Sequence, residues 1–371
     1  MSRLQQLVLN RVIESFGGDP ETKRPLAEME PAFYAADDYV TNHIEVLDIE
    51  TRQSTRWSLK YGRRRRARSA AHNERSILKR LGQGFRDFSD AIALSEDANR
   101  DLFAAFGRWL ASCNGSEQRS LVDPQNHIGG PTLHVLTLLG LHARGCTIAS
   151  EIDLLARKGF PEGAHARARS LYEVMIFTGF LVARNTPDFE LTERYHLSAM
   201  VEKRKETSHI GEEDPFTQAD GLEDLIRDRW GSGFFKPHGW AAPGISDPPP
   251  VRVTFREIEE ATGLDSMRHC YLTMNHAIHA GAMAVTTRFD ERNPFRNATG
   301  SQVDYYSTAW VAGAAANFLY FLNRIALEAV SDIVDRDRVS FLAPLSRCDA
   351  ADKFFREYAN NHVPGRTDPS R

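Results

Sequence analysis

A helical pattern of apolar residues runs almost without interruption from about residue 86 to residue 360 and leaves little choice of fold. Glycine and proline divide this pattern into separate helices. Pro131 suits a first helical position, and the helix that it opens is predicted to end at Lys158, immediately before Gly159. We therefore predict a mainly α protein whose residues 86–360 form a multi-helix, bundle-like domain.

The same signals place the other helices. They are predicted at roughly Glu162 to Arg184, from Thr186 to near Glu206, from Asp265 to about Arg288 and from Val303 to Val334. Ser95 is predicted to cap a helix over Glu96 to Ala111, and Thr254 with Glu257 fits a capping box. The segment from Thr207 to Pro250, which contains three consecutive prolines, is predicted to be a surface excursion or lid between helices.

Residues 1–85 differ in character from this domain. Ile44 to Ile49 and Trp57 to Leu59 suggest two short strands, so we expect a small mixed or irregular N-terminal region that ends in a basic run. Residues 361–371 are polar and contain proline and glycine, which is typical of a disordered tail.

Composition excludes several classes of protein. The net charge of −4 argues against a surface that is basic overall, although a local basic patch is compatible with it. The longest apolar stretch, Ala309 to Leu322, is 14 residues and too short for a membrane span, and the first residues lack the apolar core of a signal peptide. The four cysteines are far apart, which is typical of buried, reduced thiols. We predict a soluble, cytoplasmic protein with no membrane partner and no cofactor.

One carboxylate stands in a helix that is otherwise apolar. Between Ser170 and Ala183, Glu173 is the only charged residue, and a helix that is apolar on nearly all sides is buried. A buried carboxylate needs a partner or a raised pKa. Arg169 lies one helical turn earlier and can reach it, and Arg167 flanks the pair. The pair has two interpretations: an ion pair that orients buried helices, or part of a functional site.

A second helix carries polar residues at helical spacing. Tyr271, Asn275 and His279 recur every four residues and share one face. His276 and His279 would hold a metal ion only with a third ligand, and no nearby residue supplies one at a recognisable spacing, so no metal site is predicted. Histidines that donate to a core carboxylate, with Glu173 as the candidate, are the favoured interpretation. Such a His–Glu–Arg cluster is also able to orient a general base.

The basic run lies between residues 60 and 80, where nine Lys and Arg residues face a single acid, Glu74. These side chains are able to bind phosphates, but arginine-rich runs are more often solvated faces or docking surfaces for acidic partners. Tyr61 is the only aromatic residue in the run, whereas proteins that bind single strands offer several. RNA is therefore one candidate partner, with a solvated face as the alternative.

Several short motifs resemble a known family. They are Ala149-Ser150-x-x-x-Leu154-Leu155-x-x-x-Gly159, Ala166-Arg167-Ala168-Arg169-Ser170-Leu171-Tyr172-Glu173, Glu193-Arg194-Tyr195, Gly239-Trp240-Ala241, and Tyr271-x-x-x-Asn275-x-x-x-His279 with Gly281. In this order, over roughly residues 135–330, they resemble the bacterial family called domain of unknown function 5677, in which serine usually stands at the Asn275 position. The resemblance implies an α-helical fold and a shared constellation of Arg169, Glu173 and His279.

Helical proteins of this sort are sometimes compared with the HEPN superfamily, whose ribonuclease members cleave RNA without a metal by means of a spaced Arg–His pair. The core helices depart from that spacing, because Arg268 and His276 have seven residues between them and no histidine follows Arg169 within eight positions. The comparison is therefore an analogy at the level of the fold.

Three functional hypotheses follow. In the first, the chain is a ligand-binding or interaction module, with bacterial stress or phage defence as its setting, which senses an anionic ligand or stabilises a homodimer through the helix from Val303. In the second, it is a metal-independent ribonuclease. In the third, the polar cluster is architectural and the basic run carries the function. The predicted catalytic residues are Arg169, Glu173 and His279, and the predicted ligand-binding residues are Arg167, Arg194, Trp240, Tyr271, Asn275 and His276.

Overall fold

The computed structural model describes residues 49–112, 130–186, 188–210, 222–278, 303–334 and 341–362. The chain divides into two compact units, residues 1–71 and residues 72–371. The first helix, α1, spans Ile49–Ser112, and its segment 49–71 is the described part of the first unit.

The described residues are mainly helical and contain no β-strand. The helices after α1 are α2 (Pro131–Arg157), α3 (Pro161–Arg184), α4 (Glu190–Ile210), α5 (Leu222–Trp230), α6 (Ala242–Ile245), α7 (Phe255–Thr262), α8 (Arg268–Asn275), α9 (Tyr305–Val334) and α10 (Leu342–Asn361). Short 3₁₀ helices lie at Ser232–Phe235, Gly239–Ala241 and Asp265–Met267. The prediction of a mainly α, multi-helix fold is confirmed.

Glycine and proline set the ends of the long helices. Gly130, with φ 97°, precedes the proline that opens α2, and Gly159, with φ 79°, follows its end. Positive φ is easy for glycine and costly for other residues, so glycine suits both of these positions. Helices α2 and α3 both begin and end within about one residue of the predicted positions. The predicted capping box of α7 also forms, because Thr254 N donates to Glu257 Oε2 at 2.7 Å and Glu257 N donates to Thr254 Oγ1 at 3.3 Å.

The core lies between the long helices. Helix α9 packs against α2, α3 and α10, and Phe318 of α9 lies 5.1 Å, ring centre to ring centre, from the fully buried Tyr172 of α3. Phe85 of α1 packs edge-on against Phe355 of α10 at 5.0 Å. Most alanines of α9, among them Ala312 and Ala315, are fully buried by their own chain. A homodimer face on this helix would therefore have to use its partly exposed side chains.

Two local predictions are wrong. Ser95 does not cap a helix but lies inside α1, where its Oγ donates to the carbonyl oxygen of Ala91 at 2.7 Å. Trp57 and Leu59 lie in α1 and not in a strand, because an alternation of only two apolar residues does not outweigh the helix that continues on both sides. Ile44 and Val46 lie outside the described residues.

The described parts of the segment 207–250 are more helical than a surface excursion or lid would require. Residues 207–210 still belong to α4, and residues 222–245 contain α5, α6 and two 3₁₀ helices. Phe234 and Trp240 of this segment are buried, so part of it packs into the core instead of lying on the surface. The helix predicted from Asp265 to Arg288 is described only to residue 278, and α8 is its regular part.

A polar network lies inside the apolar core. Asn99 of α1 donates to Nδ1 of the fully buried His142 of α2 at 3.1 Å, so the ring proton lies on Nε2, which faces Oδ1 of Asn323 at 2.7 Å. The Asn323 amide nitrogen in turn donates to Ser95 Oγ at 2.9 Å. The network joins α1, α2 and α9. Ser95 is therefore a member of a buried hydrogen-bond network and not a helix cap.

Cys146 and Cys348 are buried free thiols, and Cys270 is a half-buried one, while Cys113 lies outside the described residues. Burial raises the pKa of the Cys146 thiol to about 12. None of the described helices combines the length and the apolar character that crossing a membrane requires.

Candidate functional site

Helix α3 brings Arg169 and Glu173 together. Arg169 Nη2 lies 2.9 Å from Glu173 Oε1, across one helical turn, as their spacing predicted. The two side chains keep 26% and 30% of their surface exposed, so the pair lies at the edge of the core and is not sealed inside it. Burial raises the pKa of the Glu173 carboxyl, and the nearby Arg169 only partly offsets this.

Tyr271 of α8 completes this group. Arg169 Nη2 donates to the Tyr271 hydroxyl at 2.9 Å, and that hydroxyl lies 3.4 Å from Glu173 Oε1. The guanidinium also stands 5.0 Å from the centre of the tyrosine ring. We refer to Arg169, Glu173 and Tyr271 as the Arg169 cluster. It balances one positive against one negative charge and offers a carboxyl group whose raised pKa suits proton transfer.

A second polar cluster lies beside it and was not predicted. Glu259 of α7 has no exposed surface, yet its two oxygens accept hydrogen bonds from the Tyr172 hydroxyl and from the Arg268 guanidinium. The Tyr172 ring lies 5.5 Å from that of Tyr271, so the two clusters are neighbours. Burial and the adjacent Glu259 raise the pKa of Tyr172 far above its usual range. This cluster ties α3, α7 and α8 together.

The sequence holds a signal for Glu259. Phe255, Ile258 and Thr262 have the spacing of one helix face, and position 259 falls on that same face. An acid on the apolar face of a short helix breaks the local pattern in the same way as Glu173 does.

The other predicted members on α8 are only partly placed. Asn275 is half-buried, and its Oδ1 is buried with no hydrogen-bond partner among the described residues. His276 is exposed. His279 lies outside the described residues, so its contact with Glu173 stays a prediction.

Arg167 makes a different connection. Its Nε pairs with Glu151 of α2, which ties α3 to α2. The predicted binding role of this side chain stays a prediction.

Arg194 of α4 holds a turn of the backbone. The buried guanidinium donates from Nε to the carbonyl oxygen of Trp240 at 2.9 Å and from Nη2 to that of Gly239 at 3.0 Å. It also stands 4.9 Å from the centre of a Trp230 ring. Burial lowers the pKa of Arg194 to about 10, which leaves it charged at neutral pH. The contacts indicate that Arg194 positions the 3₁₀ turn that carries Trp240.

That turn forms one wall of a cavity of about 570 Å³, bounded by α2, α3, α4 and the turn itself. Its aromatic wall is made by Phe177, Tyr195, His238 and Trp240. Tyr195 and Trp240 meet edge to face at 4.8 Å, and Phe177 meets Trp240 in the same manner at 5.7 Å. We refer to this space as the aromatic cavity. Trp240, one of the predicted binding residues, belongs to it.

The charge around the aromatic cavity is slightly negative. Glu202, an exposed residue, is the acid among the described lining residues, and neither Lys nor Arg is among them. Burial lowers the pKa of His238, so its ring is neutral at neutral pH. Burial, together with the charge of Glu202, raises the pKa of Tyr195. The cavity is therefore lined by aromatic side chains, by the neutral imidazole of His238 and, at its rim, by one carboxylate.

A chain of ring contacts connects the Arg169 cluster to the aromatic cavity. Tyr271 stacks on Phe255 at 5.0 Å, Phe255 meets Phe177 at 5.7 Å, and Phe177 lines the aromatic cavity.

Tyr195 and Glu202 of α4 were not among the predicted site residues. They lie two turns apart, which is the helical signal that places them on the cavity side.

Among the described residues, no group of three or more His, Cys, Asp or Glu side chains is arranged to hold a metal ion.

No curated protein and no solved structure matches the chain. A family model does match, over residues 135–296, which include the Arg169 cluster and most of the residues around the aromatic cavity. This confirms the resemblance seen in the motifs: residues 135–296 match the family of unknown function DUF5677.

Proposed function

We propose that the chain is a ligand-binding module and that its ligand occupies the aromatic cavity. The observation that carries the proposal is a cavity of about 570 Å³ lined mainly by aromatic and aliphatic side chains with a few polar groups. Sites for small organic molecules usually measure about 300–1,000 Å³ and have this kind of lining. Trp240, which the family resemblance singled out, supplies one of the rings.

The lining favours an organic molecule that has an apolar body and a positively charged amine. Cations are attracted to the faces of Trp, Tyr and Phe rings, and Glu202 adds a carboxylate at the rim. An anion would meet that carboxylate with no Lys or Arg among the described lining residues to compensate it. Arg169 is better suited than the aromatic cavity to bind the anionic ligand of the first hypothesis, although its guanidinium is already paired with Glu173.

The ribonuclease is the second candidate function. In its favour, the Arg169 cluster is partly exposed and contains a carboxyl group whose pKa is raised by burial. Its proposed acid or base, His279, lies outside the described residues. Cleavage of RNA in EDTA by the purified chain, abolished by His279→Ala in a folded variant, would support it; the absence of cleavage, or cleavage unaffected by that change, would remove it. A role in bacterial stress or phage defence is a further hypothesis on which the cavity has no bearing.

The cavity can be tested by filling it. Gly140 of α2 lines the cavity, and a Cβ at this position would meet nothing within 4 Å. Gly140→Leu therefore places an isobutyl group in the cavity without a clash at its base, and it removes a helix-weakening glycine. Gly107→Leu in α1 is the matched control, because Gly107 also has nothing within 4 Å and does not line the cavity.

The probe is phenyltrimethylammonium, measured by isothermal titration calorimetry beside its uncharged isostere tert-butylbenzene. We expect saturable binding of the cation to the parent chain and to Gly107→Leu, and binding at least about tenfold weaker to Gly140→Leu. Glu202→Gln should weaken the cation by roughly twofold to fivefold and leave the neutral isostere unchanged, as befits an exposed charge. Equal binding by both leucine variants would overturn the proposal.

A further inference from the structure

The first part of α1 has an unusual surface. From Arg56 to Arg68 every residue whose burial is described is exposed, except Gly62, which is half-buried. We refer to this stretch as the basic arm. It contains no acid and seven basic residues, which are Arg56, Lys60, Arg63, Arg64, Arg65, Arg66 and Arg68.

The positive charges surround the helix. Successive residues of an α-helix point about 100° apart, so the four consecutive arginines Arg63 to Arg66 point in four directions. Among the ion pairs between described residues, none involves the arm. Like charges three and four positions apart, such as Lys60 and Arg64, repel one another. An arm of this kind gains most from a partner that presents negative charge on more than one side.

This requirement separates the candidate partners. A membrane surface or a flat acidic patch on a protein meets one face of a helix, and helices that bind membranes are accordingly one-sided. A groove between two phosphate backbones meets opposite faces at once. The charge distribution of the arm therefore favours a nucleic-acid duplex.

The dimensions favour DNA over RNA. An α-helix with its side chains is about 10–12 Å across, and the major groove of B-DNA is about 12 Å wide. The major groove of an RNA duplex is deep and narrow. Thirteen residues at about 1.5 Å each make an arm of roughly 20 Å, the rise of about six base pairs.

Single strands are a poorer match. Their binders present aromatic rings on which bases stack. The arm has only two such rings, Trp57 and Tyr61, which lie near its start and meet each other at a tilt with their centres 4.3 Å apart. Both precede the four consecutive arginines that provide most of the charge.

We propose that the basic arm binds duplex DNA by lying in its major groove, held by phosphate contacts on both sides and without strong preference for base sequence. This interaction is separate from the ligand of the aromatic cavity and does not depend on it.

The test measures binding of the full chain to a fluorescein-labelled 20-base-pair duplex by anisotropy at several salt concentrations. If all seven cations contact phosphates, the logarithm of the association constant should fall with the logarithm of salt concentration with a slope approaching about −6. Replacing Arg63, Arg64, Arg65 and Arg66 by glutamine keeps good helix formers and should reduce that slope by roughly 3 to 4 units, with affinity at least about tenfold weaker at 0.1 M salt.

A charge-matched control removes four basic residues elsewhere. Arg108, Arg144, Lys236 and Arg252 are all exposed and are replaced by glutamine together. This variant should keep nearly the parent slope. An equal loss in both variants would show that net charge alone is responsible and would overturn the proposal.

Two further comparisons locate the arm. A duplex with bulky groups at C5 of its pyrimidines, which project into the major groove, should bind at least about tenfold more weakly. Duplex RNA and single-stranded DNA should also bind more weakly. Binding of those ligands, or of phosphatidylserine vesicles, as tightly as duplex DNA at the same salt concentration would overturn the groove assignment, as would the absence of DNA binding at 0.05 M salt.

Discussion

The hydroxyl of Tyr172 donates a hydrogen bond to Oε1 of Glu259, and neither side chain has any exposed surface. The second oxygen of the same carboxylate accepts from Arg268, whose side chain is 30% exposed. One carboxylate therefore fastens the short helices α7 and α8 to the long helix α3. The Arg169 cluster depends on this arrangement, because its Tyr271 lies on α8 and its other members lie on α3.

Tyr172→Phe removes one of the two hydrogen bonds to Glu259 and keeps the ring that packs on Phe318. We expect the free energy of unfolding to fall by about 1–3 kcal/mol, because a buried acceptor is left without its donor. Urea denaturation followed by circular dichroism measures this loss.

Tyr271→Phe is the comparison for that experiment. Its hydroxyl also contacts a carboxylate, but Glu173 is 30% exposed, so water can replace the lost hydrogen bond. We expect a loss of less than about 1 kcal/mol. Equal losses in the two variants would contradict the account of Glu259 as the buried anchor.

The sequence predicts elements better than it predicts partners. The ends of α2 and α3 follow from Pro131, Gly159 and Pro161, because proline and glycine act on the backbone locally. The Arg169–Glu173 pair also follows from spacing within one helix. Glu259 meets Tyr172 across 87 residues of sequence, and no local rule encodes which of several acids will find a given hydroxyl.

Core histidines should make the stability depend on pH. Burial lowers the pKa of His142 to about 4 from its ordinary 6.5, and its ring is held neutral between Asn99 and Asn323. Between these two pH values the unfolded chain binds a proton at this residue that the folded chain does not bind. The stabilisation is therefore complete above about pH 6.5 and is lost as the pH falls towards 4, by about 3 kcal/mol at most.

The measurement compares the parent with His142→Gln by urea denaturation at pH 7.5 and at pH 4.5. The variant is less stable at pH 7.5 because the network is altered, and the difference between the two proteins should shrink at pH 4.5. The comparison cancels other groups, such as Asp153, whose pKa burial raises to about 6 and whose effect on stability has the opposite sign. A difference that is the same at both pH values would show that His142 titrates normally in the folded chain.

Replacement of Gly239 by alanine should be poorly tolerated, because the 3₁₀ turn that it opens leaves no room for a Cβ atom. A Cβ at this position would lie 2.6 Å from the carbonyl oxygen of Phe234 and still closer to that of Gly233. These are backbone atoms, so the turn itself would have to move, and with it the carbonyl groups that Arg194 binds. We expect Gly239→Ala to cost about 1–3 kcal/mol in unfolding free energy and to weaken phenyltrimethylammonium binding.

Gly233→Ala is the matched control in the same segment. A Cβ there would meet only the carbonyl oxygen of Val251, at 4.0 Å. Stability should change by less than about 0.5 kcal/mol. Similar losses at the two glycines would mean that the close approach at Gly239 has no energetic consequence.

The limit of prediction at the candidate site has the same physical origin. Trp240 was identified from a motif, but the cavity around it exists only because α2, α3, α4 and a 3₁₀ turn come together around it. Gly140 belongs to no motif, the motif that contains Tyr195 gives it no binding role, and the positions of both residues on the cavity follow from how their helices pack. Sequence periodicity reports which face of a helix is buried, and it does not report what that face is buried against.

The predicted contact between Glu173 and His279 is open to a direct energetic test. Tyr271, whose hydroxyl lies 3.4 Å from Glu173 Oε1, precedes His279 by eight residues in the sequence. A double-mutant cycle with Glu173→Gln and His279→Ala should give a coupling energy of at least about 0.5 kcal/mol if the groups touch. The matched cycle pairs Glu173→Gln with His276→Ala. The His276 side chain is exposed, so its coupling to Glu173 should be close to zero. The coupling in the first cycle should also weaken as the pH falls and the Glu173 carboxyl group, whose pKa is raised by burial, becomes protonated. Equal coupling in the two cycles would place His279 away from the Arg169 cluster and would leave the ribonuclease hypothesis without its acid or base.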